Sequence, residues 1–200
     1  FKVKLFDDYE GWIHQSYIEK KHSKNNNFAT YIETKPFGQI FNQPKSNSIP
    51  ILNCPFGVTL PAIDTKTVED KWWHHIQLPD LKTGWIQDSG YKKSSTIRET
   101  IKTSAQKLLG IPYVWGGRSS FGFDCSGFVQ TIFKFCGHIL PRDSKDQLNF
   151  DKMDSINYKD SKVGDLVFFS KNDKIEHVGI SLGDEAYIHS SGYVKQNSLN

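Results

Sequence analysis

Three residues in the second half of the chain have the side chains and the spacing that nucleophilic catalysis needs. Cys125 follows Asp124 at the start of a segment with helical periodicity, and His177 and His189 lie in two later strand-like runs. A thiol becomes a useful nucleophile when a helix N-terminus or a neighbouring imidazole stabilises its thiolate. If the two strands are adjacent, His177 can serve as the base beside Cys125 while His189 orients it. The pattern therefore predicts a catalytic cysteine site.

The elements that must position these residues predict an α+β domain. A capping pair, Thr96 and Glu99, begins a first helix, and a second helix is expected from Cys125 to Cys136. Three strand-like runs follow, at Asp165–Ser170, His177–Leu182 and Ala186–Ser190. Helices followed by antiparallel strands are typical of the α+β class.

The first half of the chain predicts β structure, with short apolar runs separated by Pro, Gly, Asn and Asp. A Gly-Trp-Ile step occurs twice, at Gly11-Trp12-Ile13 and at Gly84-Trp85-Ile86. We predict four segments: the last strands of a first β unit at 1–19, a linker at 20–27, a complete small β barrel at 28–93 and the α+β domain at 94–200. The linker assignment rests on a Lys- and Asn-rich stretch without periodicity.

Composition argues against several classes of function. The net charge is +3 and no dense basic stripe is present, so nucleic acid is not an expected partner. The longest apolar runs are too short to span a bilayer. His74-His75 and Cys136-Gly137-His138 lack paired ligand spacing, so we expect no metal and no cofactor. If Cys125 and Cys136 share a helix, about 16 Å of rise separates them and prevents a disulfide, so at least one of the three cysteines is expected to be a thiol.

Four short motifs occur in the same order and spacing as in a known family. They are Tyr113-Val114-Trp115-Gly116-Gly117, Phe123-Asp124-Cys125-Ser126-Gly127, Gly164-Asp165-Leu166-Val167-Phe168-Phe169 and His177-Val178-Gly179-Ile180. Together they resemble the NlpC family of cell-wall cysteine peptidases. The resemblance implies a papain-like domain in which Cys125 is the nucleophile, His177 the base, His189 its orienting partner and Tyr113 a group that assists the oxyanion. The Gly-Trp steps resemble the bacterial SH3-like fold.

SH3-like units ahead of such a domain resemble γ-D-glutamyl-L-diamino-acid endopeptidases, which act on peptidoglycan stem peptides with a free N-terminal L-alanine. The resemblance implies that Asp124, Ser126 and Tyr9 hold the substrate ammonium. Asp124 as a plain helix cap and Tyr9 as a barrel side chain are the alternatives. Arg142 is expected either to meet a substrate carboxylate or to pair with an Asp such as Asp143. Because Asp124 is negatively charged, it should raise the pKa of the Cys125 thiol.

Two other functions remain open from the sequence. One is a papain-like Cys-His-His acyltransferase that acts on lipids, and the other is an inactive module that only binds the wall. The expected location is the bacterial envelope, with cytoplasmic recycling of imported fragments as the alternative. Family domains usually continue for a further strand beyond the position of Asn200, so we expect both termini to be incomplete.

Overall fold

The computed structural model describes residues 1–18, 28–92 and 94–199, and the predicted linker at 20–27 lies outside the described residues. The helices are α1 (Ile97–Gln106), α2 (Cys125–Phe135) and α3 (Ser144–Leu148), with 3-10 turns at Gln15–Tyr17 and Tyr158–Asp160. The strands are β1 (Lys2–Lys4), β2 (Glu10–Trp12), β3 (Ala29–Ile32), β4 (Phe37–Phe41), β5 (Pro50–Pro55), β6 (Thr59–Val68), β7 (Lys71–Gln77), β8 (Thr83–Gln87), β9 (Arg118–Ser119), β10 (Gly122–Phe123), β11 (Leu166–Lys171), β12 (Lys174–Gly183), β13 (Ala186–Ser191) and β14 (Tyr193–Ser198).

The region between residues 29 and 87 forms one six-stranded antiparallel sheet in the order β3-β6-β7-β8-β4-β5. Alternation of apolar and polar residues along these strands places one face in a small core. The buried members of this core are Tyr31, Ile40, Cys54, Leu60, Ala62, Ile76, Leu78 and Ile86. The SH3-like identity of this unit stays a prediction.

The first strands, β1 and β2, pair as an antiparallel hairpin in which Val3 lies opposite Gly11. Asp7 is the buried residue of the segment 1–18, whose other side chains are half-buried or exposed. An isolated two-stranded hairpin is marginally stable in water. Its position therefore depends on contacts with the rest of the chain.

In the second half of the chain, α2 packs against a four-stranded antiparallel sheet of order β11-β12-β13-β14, and α1 packs against α2. Phe128, Val129 and Ile132 of α2 are completely buried, as are Val178 of β12 and Ile188 of β13. Removing side chains of this size from water contributes about 1.5–3 kcal/mol each. This packing fixes the start of α2 next to β12.

The six-stranded sheet and the second half of the chain share part of one core. Phe56 is 2% exposed, belongs to the same cluster as α2, and its ring lies 4.7 Å from that of Phe135. Ser120 accepts a hydrogen bond from the Phe56 N–H at 3.1 Å and donates one to the carbonyl of Pro36. These contacts hold the sheet against the domain that carries the predicted site.

Several predicted elements are confirmed and several short ones were missed, the β9–β10 pair among them. The Thr96 side chain caps α1 by accepting from the Glu99 N–H at 3.2 Å, and α2 begins at Cys125 as expected. Strand β14 and the short helix α3 were not predicted from the sequence. Both are short and carry little hydrophobic periodicity, the signal on which the prediction relied. Among the described residues no helix has the length and apolarity that a membrane crossing requires.

Candidate active site

Cys125 is the first residue of α2 and lies at the tip of that helix. Asp124 adopts an extended conformation, and its side chain accepts a hydrogen bond from the Gly127 N–H at 2.7 Å, which caps the helix. The backbone N–H groups of the first helical turn have no partner within the helix. A Cβ at position 127 would overlap the carbonyl oxygen of Gly117, so glycine permits the close approach of the 113–117 loop to this tip.

The environment of the Cys125 thiol favours its neutral form. Burial raises the pKa of this thiol above its ordinary value, and the negative charge of Asp124 adds to the increase. Backbone N–H groups, that of Val178 foremost, act in the opposite direction but do not outweigh burial. The negative charge of Asp124 thus raises the pKa of the thiol, as predicted from the sequence. The contact with Val178 also brings the thiol beside the residue that follows His177.

His177 and His189 lie on neighbouring strands and are joined through their rings. Nε2 of His177 and Nδ1 of His189 are 2.6 Å apart, and the ring planes are nearly perpendicular. If the His177 Nε2–H donates to His189, the Nδ1 lone pair of His177 remains available for the thiol proton. This is the tautomer that a base beside Cys125 requires. The structure therefore joins the two rings and places the thiol beside Val178, while the roles of nucleophile, base and orienting group stay predictions.

Both imidazoles are held in their neutral form. Burial lowers the pKa of His177 below its usual range, and the positive charge of Lys195 lowers it further. Burial, His177 and Lys195 together lower the pKa of His189 to about 4. His189 is 5% exposed, so little solvent screens these effects. Near neutral pH the site therefore holds a thiol and two uncharged rings.

A polar cluster is built around Asp124 and Ser126, which flank Cys125 in the sequence; we call it the ion-pair side of the site, and the two imidazoles the imidazole side. Arg142 donates from Nη1 to Asp124 Oδ1 at 3.1 Å and from Nη2 to Oδ2 at 2.5 Å, and Nη1 also donates to Ser126 Oγ at 2.9 Å. The Gly127 and Gly116 N–H groups donate to the same carboxylate at 2.7 and 3.0 Å. Because a carboxylate offers about four acceptor positions, those of Asp124 are taken by donors of this chain.

The partner of Arg142 differs from the one suggested by the sequence. Asp143 is exposed and forms the N-cap of α3, whereas the Arg142 side chain points inward and is 9% exposed. Burial acts against the charged form, but the hydrogen bond and charge of Asp124 prevail and raise the pKa of Arg142. Asp124 is thus both the helix cap and one half of a buried ion pair.

Tyr113 and Tyr9 are both placed near this cluster. Burial, with the charges of Cys125 and Asp124, raises the pKa of Tyr113, so its hydroxyl keeps the proton that an oxyanion would accept as a hydrogen bond. Tyr9 is 43% exposed and lies close enough to Arg142 to contribute to the pKa of that residue. The structure therefore brings a residue of the N-terminal hairpin to the side of α2 that carries Asp124.

Comparison with known proteins identifies the second half of the chain. Residues 110–200 match the model of the NlpC/P60 family. This segment is an NlpC/P60 domain. A crystal structure of an NlpC/P60 family protein from Bacillus cereus ATCC 10987 superposes with a TM-score of 0.73 at 27% identity, covering 86% of this chain and 58% of that one. The resemblance inferred from the four motifs is confirmed for this domain.

Two curated relatives align over nearly the whole chain. A γ-D-glutamyl-L-lysine dipeptidyl-peptidase of Bacillus cereus (strain ATCC 10987 / NRS 248) is 29% identical over 200 residues, which is 92% of this chain and 57% of the relative. Dipeptidyl-peptidase 6 of Lysinibacillus sphaericus is 28% identical over 207 residues, 98% of this chain and 70% of the relative. The chain thus spans little more than half the length of the Bacillus cereus relative.

The structure adds residues near the site that sequence reasoning missed. Asp7 accepts hydrogen bonds from Arg118 at 2.9 Å and from Gln130 at 2.8 Å, and its side chain has no exposed surface. Gln130 lies off the apolar stripe of α2, and Asp7 occurs in a polar segment. Neither residue carries a local sequence signal, because the contact joins positions 123 residues apart. The NlpC/P60 domain is therefore tied to the N-terminal hairpin by a buried polar contact.

Proposed function

We propose that this chain is a cysteine endopeptidase that hydrolyses the γ-D-glutamyl–diamino acid bond of peptidoglycan stem peptides. The observation that carries the proposal is the hydrogen bond of 2.6 Å between His177 and His189, beside a cysteine at a helix tip. Relatives named as γ-D-glutamyl-L-lysine dipeptidyl-peptidases support this choice of bond. No metal or cofactor is needed for the reaction.

Acyl transfer to the thiol begins the reaction in this proposal. As Sγ of Cys125 attacks the γ-carbonyl carbon, the thiol proton passes to Nδ1 of His177. The N–H groups at the tip of α2 and the hydroxyl of Tyr113 donate to the oxyanion. When the C–N bond breaks, His177 returns the proton to the leaving amine, and a thioester on Cys125 remains.

Hydrolysis of the thioester regenerates the enzyme. His177 takes a proton from water, whose oxygen attacks the thioester carbonyl, and the proton then goes to the departing sulfur. His189 holds the ring of His177 through both steps and stabilises its transient charge. The thiol does not need to be ionised beforehand, since the base removes its proton during attack. This agrees with the raised pKa of Cys125 and the lowered pKa of His177.

The finer part of the proposal is recognition of a free N-terminal L-alanine. A dipeptidyl-peptidase releases a dipeptide from an amino end, and two aligned relatives carry that name. A carboxylate, a hydroxyl and a phenol, from Asp124, Ser126 and Tyr9, are suitable partners for an ammonium group. Because donors of this chain already occupy the acceptor positions of Asp124, the ammonium would feel the charge of that carboxylate and donate its hydrogen bonds to the hydroxyl oxygens of Tyr9 and Ser126.

The architecture and location belong to the same proposal. Residues 28–93 would be an SH3-like barrel and residues 1–19 part of a preceding one, joined by a linker at 20–27. The NlpC/P60 domain would begin at residue 94, which adds α1 to the segment 110–200. A relative named as a bifunctional muramidase/DL-endopeptidase and another named as a probable endopeptidase p60 favour a role in the bacterial envelope. Peptidoglycan stem peptides or their fragments would be the substrate.

Mass spectrometry of defined stem peptides tests the proposal. Peptides with a free and with an acetylated N-terminal L-alanine are incubated with the protein, with Cys125→Ala as the inactive control. We expect cleavage between γ-D-glutamate and the diamino acid of the free peptide only. Equal cleavage of the free and the acetylated peptides would refute recognition of the amine but would still support peptidase activity. Acyl transfer between phospholipids, or binding to wall fragments without turnover, would refute the peptidase and favour the other two functions.

A further inference from the structure

The loop that joins β1 to β2 forms a closed turn. The Leu5 N–H donates to the carbonyl of Tyr9 at 2.9 Å, and the Asp8 N–H donates to the carbonyl of Leu5 at 3.1 Å. Asp8 adopts a left-handed conformation with φ of 63°, which Asp tolerates better than most residues. Phe6 and Asp7 both contact the NlpC/P60 domain from this turn. The turn therefore acts as the docking point of the hairpin.

Asp7 makes the main polar contact of this turn. Its Oδ2 accepts from Arg118 Nη2 at 2.9 Å and from Gln130 Nε2 at 2.8 Å. Its side chain has no exposed surface, while that of Arg118 keeps 26% exposure. The Gln130 hydrogen bond and the Arg118 charge overcome the opposing effect of burial and lower the pKa of Asp7. Asp7 is thus a buried carboxylate with two donors from the other domain.

Phe6 adds cation–π contacts at the same point. Its ring lies 4.1 Å from Nζ of Lys134 and 5.0 Å from the guanidinium carbon of Arg118. The Phe6 ring is nevertheless 51% exposed, so it contributes less than a buried aromatic side chain would. The position of the hairpin therefore depends mainly on Asp7.

The contacts of Asp7 continue toward the candidate active site. Gln130 donates through the same nitrogen to the carbonyl of Leu140 at 2.8 Å, and Leu140 precedes Arg142 by two residues. Arg142 in turn holds Asp124, the residue before the nucleophile. Gln130 is 2% exposed, so water does not compete for its amide. Buried polar contacts thus tie the hairpin to Leu140 and Arg142 to Asp124, and the short backbone segment from Leu140 to Arg142 connects the two sets.

We propose that Asp7 is a positioning residue for substrate selection: it locks the β1–β2 hairpin onto the NlpC/P60 domain and thereby keeps Tyr9 beside the Asp124–Arg142 pair. This inference rests on the proposed function, in which Tyr9 meets the substrate amine. The Tyr9 N–H also lies 3.4 Å from Asp7 Oδ1, at the outer limit of a hydrogen bond, so the anchor and the recognition residue move together. Asp7 does not touch the substrate.

The variant Asp7→Asn tests this with little change in volume. Arg118 and Gln130 both donate to Oδ2, and the Tyr9 N–H lies against Oδ1. The single oxygen of Asn can face only one of these two positions, so its NH2 group opposes a donor in either orientation, and the ion pair with Arg118 is lost. The hairpin should therefore undock. The core of the NlpC/P60 domain is built from residues 56 to 194 and should stay folded. Asp8→Asn is the matched control, because Asp8 is exposed and pairs only with the exposed Lys4 among the described residues. Asn also tolerates the left-handed conformation at that position.

Two measurements separate the anchor from the activity. Amide hydrogen exchange should accelerate in residues 1–12 of Asp7→Asn and stay unchanged in α2 and β12. For the free-amine peptide, KM should rise about tenfold or more, the effect of losing a charged hydrogen bond, with kcat within about twofold. Asp8→Asn should match the wild type in both. Cleavage of the acetylated peptide should be equally slow in all three proteins.

Each contrary result has a distinct meaning. Unchanged exchange in residues 1–12 of Asp7→Asn would overturn the anchoring role. Faster exchange with an unchanged KM, or an equal fall of kcat on both peptides, would overturn the link to substrate selection. If the wild type cleaves free and acetylated peptides equally, recognition of the amine fails, and hydrogen exchange alone decides whether Asp7 anchors the hairpin.

Discussion

The two sides of Cys125 differ in their electrostatics. On one side, Asp124 and Arg142 form a buried ion pair whose charges compensate each other and whose hydrogen-bonding positions are occupied. On the other side, His177 and His189 are uncharged, held in that state by burial, and joined by a single hydrogen bond. The first arrangement is fully paired, whereas the second holds two uncharged rings, so that His177 has a nitrogen lone pair available for a proton. Each side therefore suits a different task, positioning on one and proton transfer on the other.

The largest expected effect is on the imidazole side. His177→Ala removes the base and should lower kcat/KM by about 10³-fold, within the range for general base catalysis. Unfolding by urea should change little, since His177 lies at the site and outside the apolar core. The check is steady-state kinetics on the free-amine stem peptide. A loss of less than tenfold would show that His177 is not the base.

On the ion-pair side, a substitution should mainly lower the free energy of unfolding. Arg142→Met leaves Asp124 buried without its cation and should lower the free energy of unfolding by about 3–5 kcal/mol. The control is Arg98→Met, which removes an ion pair with Asp165 whose arginine is 48% exposed. That change should cost about 1 kcal/mol or less. Urea denaturation of both variants checks the difference, and equal losses would mean that the buried pair has no special weight.

His189 should matter less than His177 because it acts through that residue. His189→Ala frees the ring of His177 and should lower kcat by about 10–100-fold with little change in KM. His189→Asn retains a side chain that can accept from the His177 Nε2–H and should recover part of the loss. Kinetics of both variants on one peptide decide this. Equal activity of the two variants would contradict an orienting hydrogen bond.

The pH dependence should reveal the lowered pKa of His177. Since the reaction needs the neutral ring, kcat/KM should rise with pH through a pKa below the ordinary 6.5 and be at its full value above it. Lys195 lowers this pKa by its positive charge, so Lys195→Gln should move the acid limb to higher pH. A pH–rate profile of both proteins provides the check. A shift to lower pH would refute the assignment.

The smallest effect should come from Tyr9. Tyr9→Phe removes only the hydroxyl from a side chain that is 43% exposed, so KM for the free-amine peptide should rise a few-fold. The acetylated peptide should be cleaved at the rate of the wild type. Competition between the two peptides in one reaction measures the ratio directly. An unchanged ratio would place amine recognition elsewhere on the ion-pair side.

The placement of Cys125 at a helix start, and of His177 and His189 on neighbouring strands, could be predicted from the sequence because the signals are local. A helix cap before Cys125 and two apolar strands around His177 and His189 are enough to bring these residues together. The resemblance of the motifs to the family then predicts a role for each of these three residues. The same reasoning located α1 from Thr96 and Glu99, and the structure confirms that cap.

The partners on the ion-pair side could not be predicted in the same way. From the sequence, Arg142 could meet a substrate carboxylate or pair with an Asp such as Asp143, and only the inward direction of its side chain selects Asp124. Asp7 meets Gln130 across 123 positions, a contact that no local pattern encodes. The neutral state of the imidazoles depends on burial, which requires the packed structure. Long-range polar contacts are therefore the part of the site that could not be predicted from the sequence.

The shared position of Phe56 has a consequence for how this protein could be divided. The segment 110–200 that matches the family does not contain its complete hydrophobic core. Phe56, Ile101 and Ala105 lie outside this segment and pack into the same core cluster as α2. Replacing a buried Phe by Ala usually costs about 3–5 kcal/mol, and cutting the chain at residue 110 would remove that ring and α1 together. An engineer who transplants this domain into another protein would have to carry α1 along and supply a new aromatic side chain for the place of Phe56.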